Sequence, residues 1–451
     1  MKCFLRLAVT GSPVAHSKSP QIFRRFFSKT GTRGFYTRIA SDSIEEAVVT
    51  AKLCGITGLN VTAPFKESAA ALASDCQEAV RRLGAANTLI LEKEGSCGKG
   101  VYAANTDYLG VLESVRQVSE KIRGRKGFVA GAGGAGVAAA YALSLAGFDV
   151  TVFNRSPGKA AEKTAWIKNC RVEKLSHLEG MAAEADIIVN TLPLETAFFD
   201  TGKLKKGACV FEANYRKSSF SETALEQERK SLIRISPLSW LVNQAGFAFN
   251  IFSEEASCPQ LPEGLFTDIA PPDSIQPETK SNISLIGFMG SGKTTAGKLL
   301  SEISKMDFID IDAEIEKAEK TTIPEIFSSK GENCFRQIEQ RITEAVFCRE
   351  KGKIIACGGG VVKEGKNRDV ITENSYPVWL VSEPEISAQR AASGTRPLLE
   401  GPGKAEKAFL LFRERIDLYG MTASLIINTA KRGPLETAEK IYEETGLLLR
   451  N

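Results

Sequence analysis

Two glycine-rich runs carry the plainest chemistry in this chain. Gly287-Phe288-Met289-Gly290-Ser291-Gly292-Lys293-Thr294 has the Gly-x4-Gly-Lys-Thr spacing. In that pattern backbone N–H groups cradle phosphates, the lysine reaches the β- and γ-phosphates, and the hydroxyl ligates Mg2+. Gly290, Ser291, Gly292, Lys293, Thr294 and Thr295 are therefore expected to hold ATP, with Thr294 on the metal. Gly131-Ala132-Gly133-Gly134-Ala135-Gly136 lies between two apolar runs. There the Gly-x-Gly-x-x-Gly spacing lets a pyrophosphate approach backbone N–H groups at the start of a helix. The strand that follows, Val150–Phe153, ends in Asn154-Arg155-Ser156, with Lys159 close behind. A site for a ribose 2′-hydroxyl would place Asp or Glu here. Arginine, serine and lysine suit a 2′-phosphate, so NADP(H) is the expected dinucleotide.

Other residues are chemically suggestive but ambiguous alone. Lys66 follows Pro64-Phe65, and Asp107 follows Asn105-Thr106 at the end of an apolar run. They could form a structural ion pair, or a catalytic lysine with the carboxylate that orients it. Ser17 and Ser19 could cap a helix or bind a polyhydroxylated or carboxylated ligand. Phe308-Ile309-Asp310-Ile311-Asp312 reads as a strand, and residues two apart on a strand share a face. Both carboxylates would then look into one cleft, unless they are simply solvated. Arg336 could grip a carboxylate with two parallel hydrogen bonds. The triple glycine Gly358-Gly359-Gly360 allows close backbone approach, and Arg396 stands in a loop after Gly394.

The elements that must position these residues alternate as strand and helix, which predicts an α/β protein with parallel sheets. At 451 residues two or three domains are expected. Five prolines between Ser257 and Ser281 mark a linker, residues 257–281. A net charge of +4 without a basic run argues against a nucleic-acid partner. The ten cysteines are scattered without a Cys-x-x-Cys pair. That speaks against a zinc site or disulfide framework and for a reducing, cytoplasmic setting. Gly127–Phe148 is uncharged and long, but its five early glycines favour a strand and helix over a membrane span.

The motifs HSKSP, GLNVTAPFK, GAANT, ANTD, GAGGA and NRS, with Gln244-Ala245, resemble shikimate dehydrogenase over nearly everything before the linker. The resemblance implies an α/β catalytic domain (about 1–106 and 238–256) and a Rossmann domain (about 107–237) within residues 1–256, with the active site between them. It places Ser17, Ser19, Thr62, Asn87, Asp107, Tyr215 and Gln244 on the substrate and makes Lys66 the catalytic lysine, with Asp107 beside it. The implied reaction is NADPH-dependent reduction of 3-dehydroshikimate to shikimate. Three departures stand near the substrate and nicotinamide ends. Tyr108 replaces a glycine, Ser239-Trp240 replaces Gly-Met, and the proline after Tyr215 is missing. Quinate stays open as a substrate.

GFMGSGKTT, FIDIDAEIE, GENCFRQIE, CGGGVV, TRPLL and RIDLY resemble shikimate kinase over residues 282–451. This implies a P-loop kinase fold with a parallel sheet and a closing lid. Asp312, Arg336, Gly359 and Arg415 would bind shikimate, Arg396 would cover the ATP phosphates, and Asp310 would stand near Mg2+. Lys293 and Asp312 would be catalytic. The joint expectation is a bifunctional enzyme of aromatic amino-acid precursor synthesis. The alternatives are an NAD-linked quinate/shikimate dehydrogenase fused to the kinase and a non-catalytic sensor of the same metabolites. The proline-rich stretch further implies independent, tethered domains without an apolar surface between them.

Overall fold

A computed structural model of the chain describes residues 3–91, 100–192, 200–214, 232–271, 275, 280–391 and 404–446. Strands of the first half are β1 (Phe4–Gly11), β2 (Arg33–Ala40), β3 (Gly58–Val61), β4 (Asp75–Cys76), β5 (Thr88–Ile90), β6 (Tyr102–Ala104), β7 (Lys126–Ala130), β8 (Asp149–Asn154), β9 (Cys170–Lys174), β10 (Ile187–Asn190), β11 (Cys209–Glu212) and β12 (Ile233–Ile235). The second half adds β13 (Asn282–Ile286), β14 (Asp307–Asp310), β15 (Lys353–Ala356), β16 (Ser375–Val381) and β17 (Leu425–Asn428).

One sheet has six strands, all parallel, in the order β12-β11-β10-β7-β8-β9. The order reverses at β7, and ligands of such sheets bind beyond the strand ends at that point. The helix Gly134–Leu145 packs there through small residues, with Ala138, Ala139, Ala140 and Ala142 buried. Small side chains let helix and sheet approach closely. The uncharged run is thus a strand and a buried helix. No described helix is long and apolar enough to cross a membrane.

The other sheet has eleven strands in the order β14-β15-β13-β16-β17-β2-β1-β3-β5-β6-β4. Strands of both halves belong to it. β17 of the second half pairs in parallel with β2 of the first, Ile426 opposite Ile39 and Ile427 opposite Ala40. Every residue of β17 is buried. A free β17 edge would present unpaired N–H and C=O groups to solvent, and β2 covers them. One apolar cluster accordingly contains Leu7, Phe23 and Phe249 together with Leu425, Ile427 and Ile441. Around it, Arg6 grips Asp417 at 2.6 and 2.8 Å, and Thr37 Oγ1 donates to the Ala423 carbonyl at 2.8 Å. The expectation of independent, tethered halves is corrected here. Strand pairing between segments almost four hundred residues apart leaves no periodic signal in either segment.

The proline-rich stretch is not wholly extended. It contains the helix Phe266–Ile269 and buries Cys258, Leu261, Phe266, Ala270 and Ile275. Phe266 meets Phe26 and Phe247. Cys3 and Cys258 are joined by a disulfide, with Cα atoms 5.8 Å apart. A single link is not the disulfide framework that the scattered cysteines speak against. Only the fold brings the two cysteines together.

Candidate active sites

The first site lies where β1 and β3 end. A cavity of about 170 Å³ is lined by Ser17, Ser19, Thr62, Lys66, Asn87, Asp107 and Gln244. These are all the expected substrate residues except Tyr215, which lies outside the described residues. Lys66 opens the helix Lys66–Leu72 and Asp107 opens the helix Asp107–Arg116. Lys66 Nζ donates to Asp107 Oδ2 at 2.7 Å, with the side chains 22% and 8% exposed. The Asp107 N–H donates to Asn105 Oδ1 at 3.0 Å, which fixes the backbone that carries the carboxylate.

Asn87 ties three elements together. Its Oδ1 accepts from the Thr106 N–H at 2.8 Å, while its Nδ2 donates to Thr106 Oγ1 at 3.0 Å and Gln244 Oε1 at 3.1 Å. Behind it, Asn60 Nδ2 donates to the Asn87 carbonyl at 3.1 Å and Asn60 Oδ1 accepts from Tyr36 OH at 2.9 Å. Burial pushes the Tyr36 phenol well above its ordinary pKa, which keeps it a proton donor. The helix Ser19–Thr30 has no side-chain cap at its Lys18 N-cap position. Ser17 and Ser19 instead touch through their hydroxyls at 3.2 Å and face the cavity.

The glycine loop follows β7. Gly131 adopts φ 103°, and a Cβ at Gly136 would collide with the Gly131 carbonyl oxygen. Among the described residues nothing beyond Gly133 and its two chain neighbours lies within 4 Å of where a Cβ there would stand. That open space beside backbone N–H groups fits a pyrophosphate. Ala132 precedes the turn and Gly134 begins the helix, while Ala135 also lines the substrate cavity. The dinucleotide loop and the cavity are therefore contiguous. Asn154 Nδ2 donates to the Ser156 carbonyl at 3.2 Å. Arg155, Ser156 and Lys159 are exposed at the end of β8. Two departures find places: Tyr108 packs on Tyr141 at 5.2 Å, and Trp240 lines the cavity against Phe211 at 5.6 Å.

In the second half, β13 is the point of reversal between β15 and β16, and the Lys-Thr loop follows it. A cavity of about 500 Å³ is lined by Gly290, Ser291, Gly292, Lys293, Thr294 and Thr295. Lys293 Nζ donates to the carbonyls of Gly287 at 2.8 Å and Phe288 at 3.0 Å. Thr294 Oγ1 donates to Asp310 Oδ2 at 2.8 Å. Hydroxyl and carboxylate oxygens side by side are hard donors of the kind Mg2+ takes, so both fit that ion.

The reading of Asp310 and Asp312 as strand alternates is corrected. β14 ends at Asp310, whose Oδ1 accepts from the Asp312 N–H at 3.0 Å and caps the helix Ile311–Glu319. Asp312 sits in that first turn. The two carboxylates still reach the same place, because both border the Lys-Thr-loop cavity and an adjoining one of about 380 Å³. Arg336, Gly359 and Arg415 line the second cavity. Arg415 Nη1 and Tyr419 OH donate to the Gly359 carbonyl at 3.1 and 2.6 Å. Arg336 Nη1 donates to Glu339 Oε2 at 2.6 Å. Burial pushes the Glu339 carboxyl up, and the adjacent guanidinium only partly offsets it. Arg396 lies outside the described residues.

Arg390 and Arg432 border the phosphate-loop cavity without a sequence signal, while Trp240 and Glu339 border the other two from within stretches that the sequence marks. Glu339 could have been suspected, since it stands three residues after Arg336 on one helix. Arg390 and Arg432 stand in no phosphate-binding motif.

A glycine loop at a sheet reversal beside a Lys–Asp pair, followed by a Lys-Thr phosphate loop beside paired aspartates, defines a dinucleotide dehydrogenase joined to a P-loop kinase. Comparisons give the families. The model of the shikimate dehydrogenase substrate binding domain matches residues 9–89, that of shikimate / quinate 5-dehydrogenase matches 113–211, and that of shikimate kinase matches 289–445. Over 165 residues the chain is 38% identical to the shikimate kinase of Dehalococcoides mccartyi, covering 37% of this chain and 93% of that one. Over 264 residues it is 33% identical to the NADP(+) shikimate dehydrogenase of Caldanaerobacter subterraneus subsp. tengcongensis, covering 54% and 90%. The crystal structure of a shikimate 5-dehydrogenase from Thermus thermophilus, in complex with NADP(H) and shikimate, is 27% identical with a TM-score of 0.50 over 59% of this chain and 99% of that one. The chain belongs to the shikimate dehydrogenase family in its first part and to the shikimate kinase family in its second.

Proposed function

We propose that the chain is a cytoplasmic enzyme that reduces 3-dehydroshikimate to shikimate with NADPH at residues 1–256 and phosphorylates shikimate from ATP at residues 282–451. The observation that carries this reading is the contiguity at each site. Each nucleotide loop opens on a cavity that bears a residue able to move a proton, Lys66 in one and Asp312 in the other. The Thermus relative, which holds NADP(H) and shikimate, supports it.

NADPH, held at Gly131–Gly136 with its 2′-phosphate toward Arg155, Ser156 and Lys159, supplies a hydride to the carbonyl carbon. Negative charge then grows on the substrate oxygen. Lys66 gives its Nζ proton to that oxygen, so the carbonyl becomes a hydroxyl with charge balanced. Asp107 holds the ammonium where it is needed. Ser17, Ser19, Thr62, Asn87, Tyr215 and Gln244 orient the ring. Fixed donors of this kind stabilise the developing charge without reorganising.

In the second half ATP carries the phosphoryl group, and Thr294 and Asp310 would hold a Mg2+ ion, which would supply charge neutralisation for the phosphates. Arg336, Arg415 and the Gly359 backbone hold shikimate, while Asp312 orients the accepting hydroxyl and takes its proton. Lys293 and Arg396 hold the phosphates in line. Phosphoryl transfer of this type depends on such alignment and charge. The oxygen phosphorylated is the one that reduction in the first half creates.

The test is a single incubation of 3-dehydroshikimate with NADPH and ATP. The expected result is one NADPH consumed and one ADP released per product, with no ADP released when NADPH is omitted. Release of ADP regardless of NADPH would overturn the reading.

A further inference from the structure

The last helix of the second half runs from the ATP cavity to a loop of the first half. Gly433, Pro434 and Thr437, at the start of the helix Pro434–Thr445, border the ATP cavity. At its other end Glu444 is 1% exposed and points into the first half. Its Oε2 accepts from the N–H groups of Val14 at 2.8 Å and Ala15 at 2.9 Å. Both residues lie in the loop between β1 and the helix Ser19–Thr30, and both are buried. The Val14 carbonyl in turn takes the Ser17 N–H at 2.9 Å, which closes a turn on Ser17. Arg38 holds the other side of Ser17, donating to its carbonyl from Nη2 at 2.6 Å and Nε at 3.1 Å. Through Nη1 Arg38 also reaches the Ser424 carbonyl, just before β17, at 3.2 Å.

We propose that Glu444 is a positioning residue for the dehydrogenase, supplied by the kinase half. It fixes the turn that aims Ser17 and Ser19 into the shikimate cavity. The reason is the backbone. Buried N–H groups must be paired, and among the described residues no other partner stands on the Val14 and Ala15 N–H groups than the Glu444 carboxylate. Without that acceptor the turn has to open toward water, and the two hydroxyls leave their places. The kinase half is therefore part of the dehydrogenase site. This inference rests on the dehydrogenase reading given above.

The test uses the full chain with Glu444→Leu, which fills the buried position with an apolar side chain and removes the acceptor, and Glu444→Gln, which keeps an oxygen. The Gln amide oxygen can take the place of Oε2 and accept from the Val14 and Ala15 N–H groups. Glu444→Leu is expected to raise the dehydrogenase KM for shikimate by about tenfold, equal to about 1.4 kcal/mol. The KM for NADP and both kinase constants should stay within about twofold of wild type. Glu444→Gln should restore the shikimate KM. If Glu444→Leu does not fold, Glu444→Asp carries the test, since its shorter arm withdraws the acceptor and should raise the shikimate KM alone. An unchanged shikimate KM in the Leu or Asp variant overturns the proposal. So does an equal rise in the Gln variant, or a parallel loss of every constant. A wild-type chain that reduces no NADP with shikimate would instead sink the dehydrogenase reading itself.

Discussion

Replacing Lys66 with Met separates a catalytic pair from a structural one. Met keeps most of the stem and its packing but carries no proton. Lys66 Nζ lies 2.7 Å from Asp107 Oδ2, inside the cavity. If Lys66 donates the proton, its loss removes positioned proton transfer, typically worth about 10²–10⁴ in rate. That is about 2.7–5.4 kcal/mol of barrier at about 1.36 kcal/mol per tenfold. If the pair is merely structural, the change strands Asp107, which is 8% exposed, and costs about 1–3 kcal/mol of stability. Turnover of the folded fraction would then survive. Initial rates of NADP reduction at saturating shikimate and NADP, alongside a thermal melt, read both quantities. The expected result is kcat down by at least about a hundredfold with a folded protein. A kcat within about tenfold of wild type, with a lowered melting temperature, would refute the reasoning.

Other changes should act on one half at a time. Asp312→Asn removes the proton acceptor of the kinase cavity and should lower ADP release by at least about a hundredfold while NADP reduction on the same preparation is unchanged. Equal kinase turnover would show that Asp312 only lines the cavity. Arg155→Ala with Lys159→Ala should raise the KM for NADP by about tenfold and leave that for NAD unmoved, because only NADP brings a 2′-phosphate to these exposed cations. A cofactor titration that shifts both equally would place the 2′-phosphate elsewhere.

What could be read beforehand was what the chain encodes locally. Gly131–Gly136 and Gly287–Thr294 each lie between a strand and a helix, because a phosphate-binding turn requires that setting within about thirty residues. The cavity residues Ser17, Lys66, Asn87 and Asp107 are legible through their motifs, and the fold brings them together. Strand periodicity puts Asp310 and Asp312 together, but for the wrong reason. The period of two stops where Asp310 turns the chain into a helix by capping it, and capping competes with strand geometry over a single residue. The join between the halves was hidden altogether. β17 reads as an ordinary buried strand whether its neighbour is β2 or nothing, and proline content concealed the apolar anchors Leu261 and Phe266. Glu444 looks like any acid on an amphipathic helix until the Val14 and Ala15 N–H groups are found against it.

Two nucleotide sites working on one compound is the central claim, and shikimate itself tests it. The purified chain is given shikimate with NADP+ in one cuvette and shikimate with ATP and Mg2+ in another. Both NADPH formation and ADP release should depend on shikimate, and NAD+ or quinate should serve poorly in the first cuvette. If shikimate drives neither reaction, or if NAD+ with quinate outruns NADP+ with shikimate, the account is contradicted.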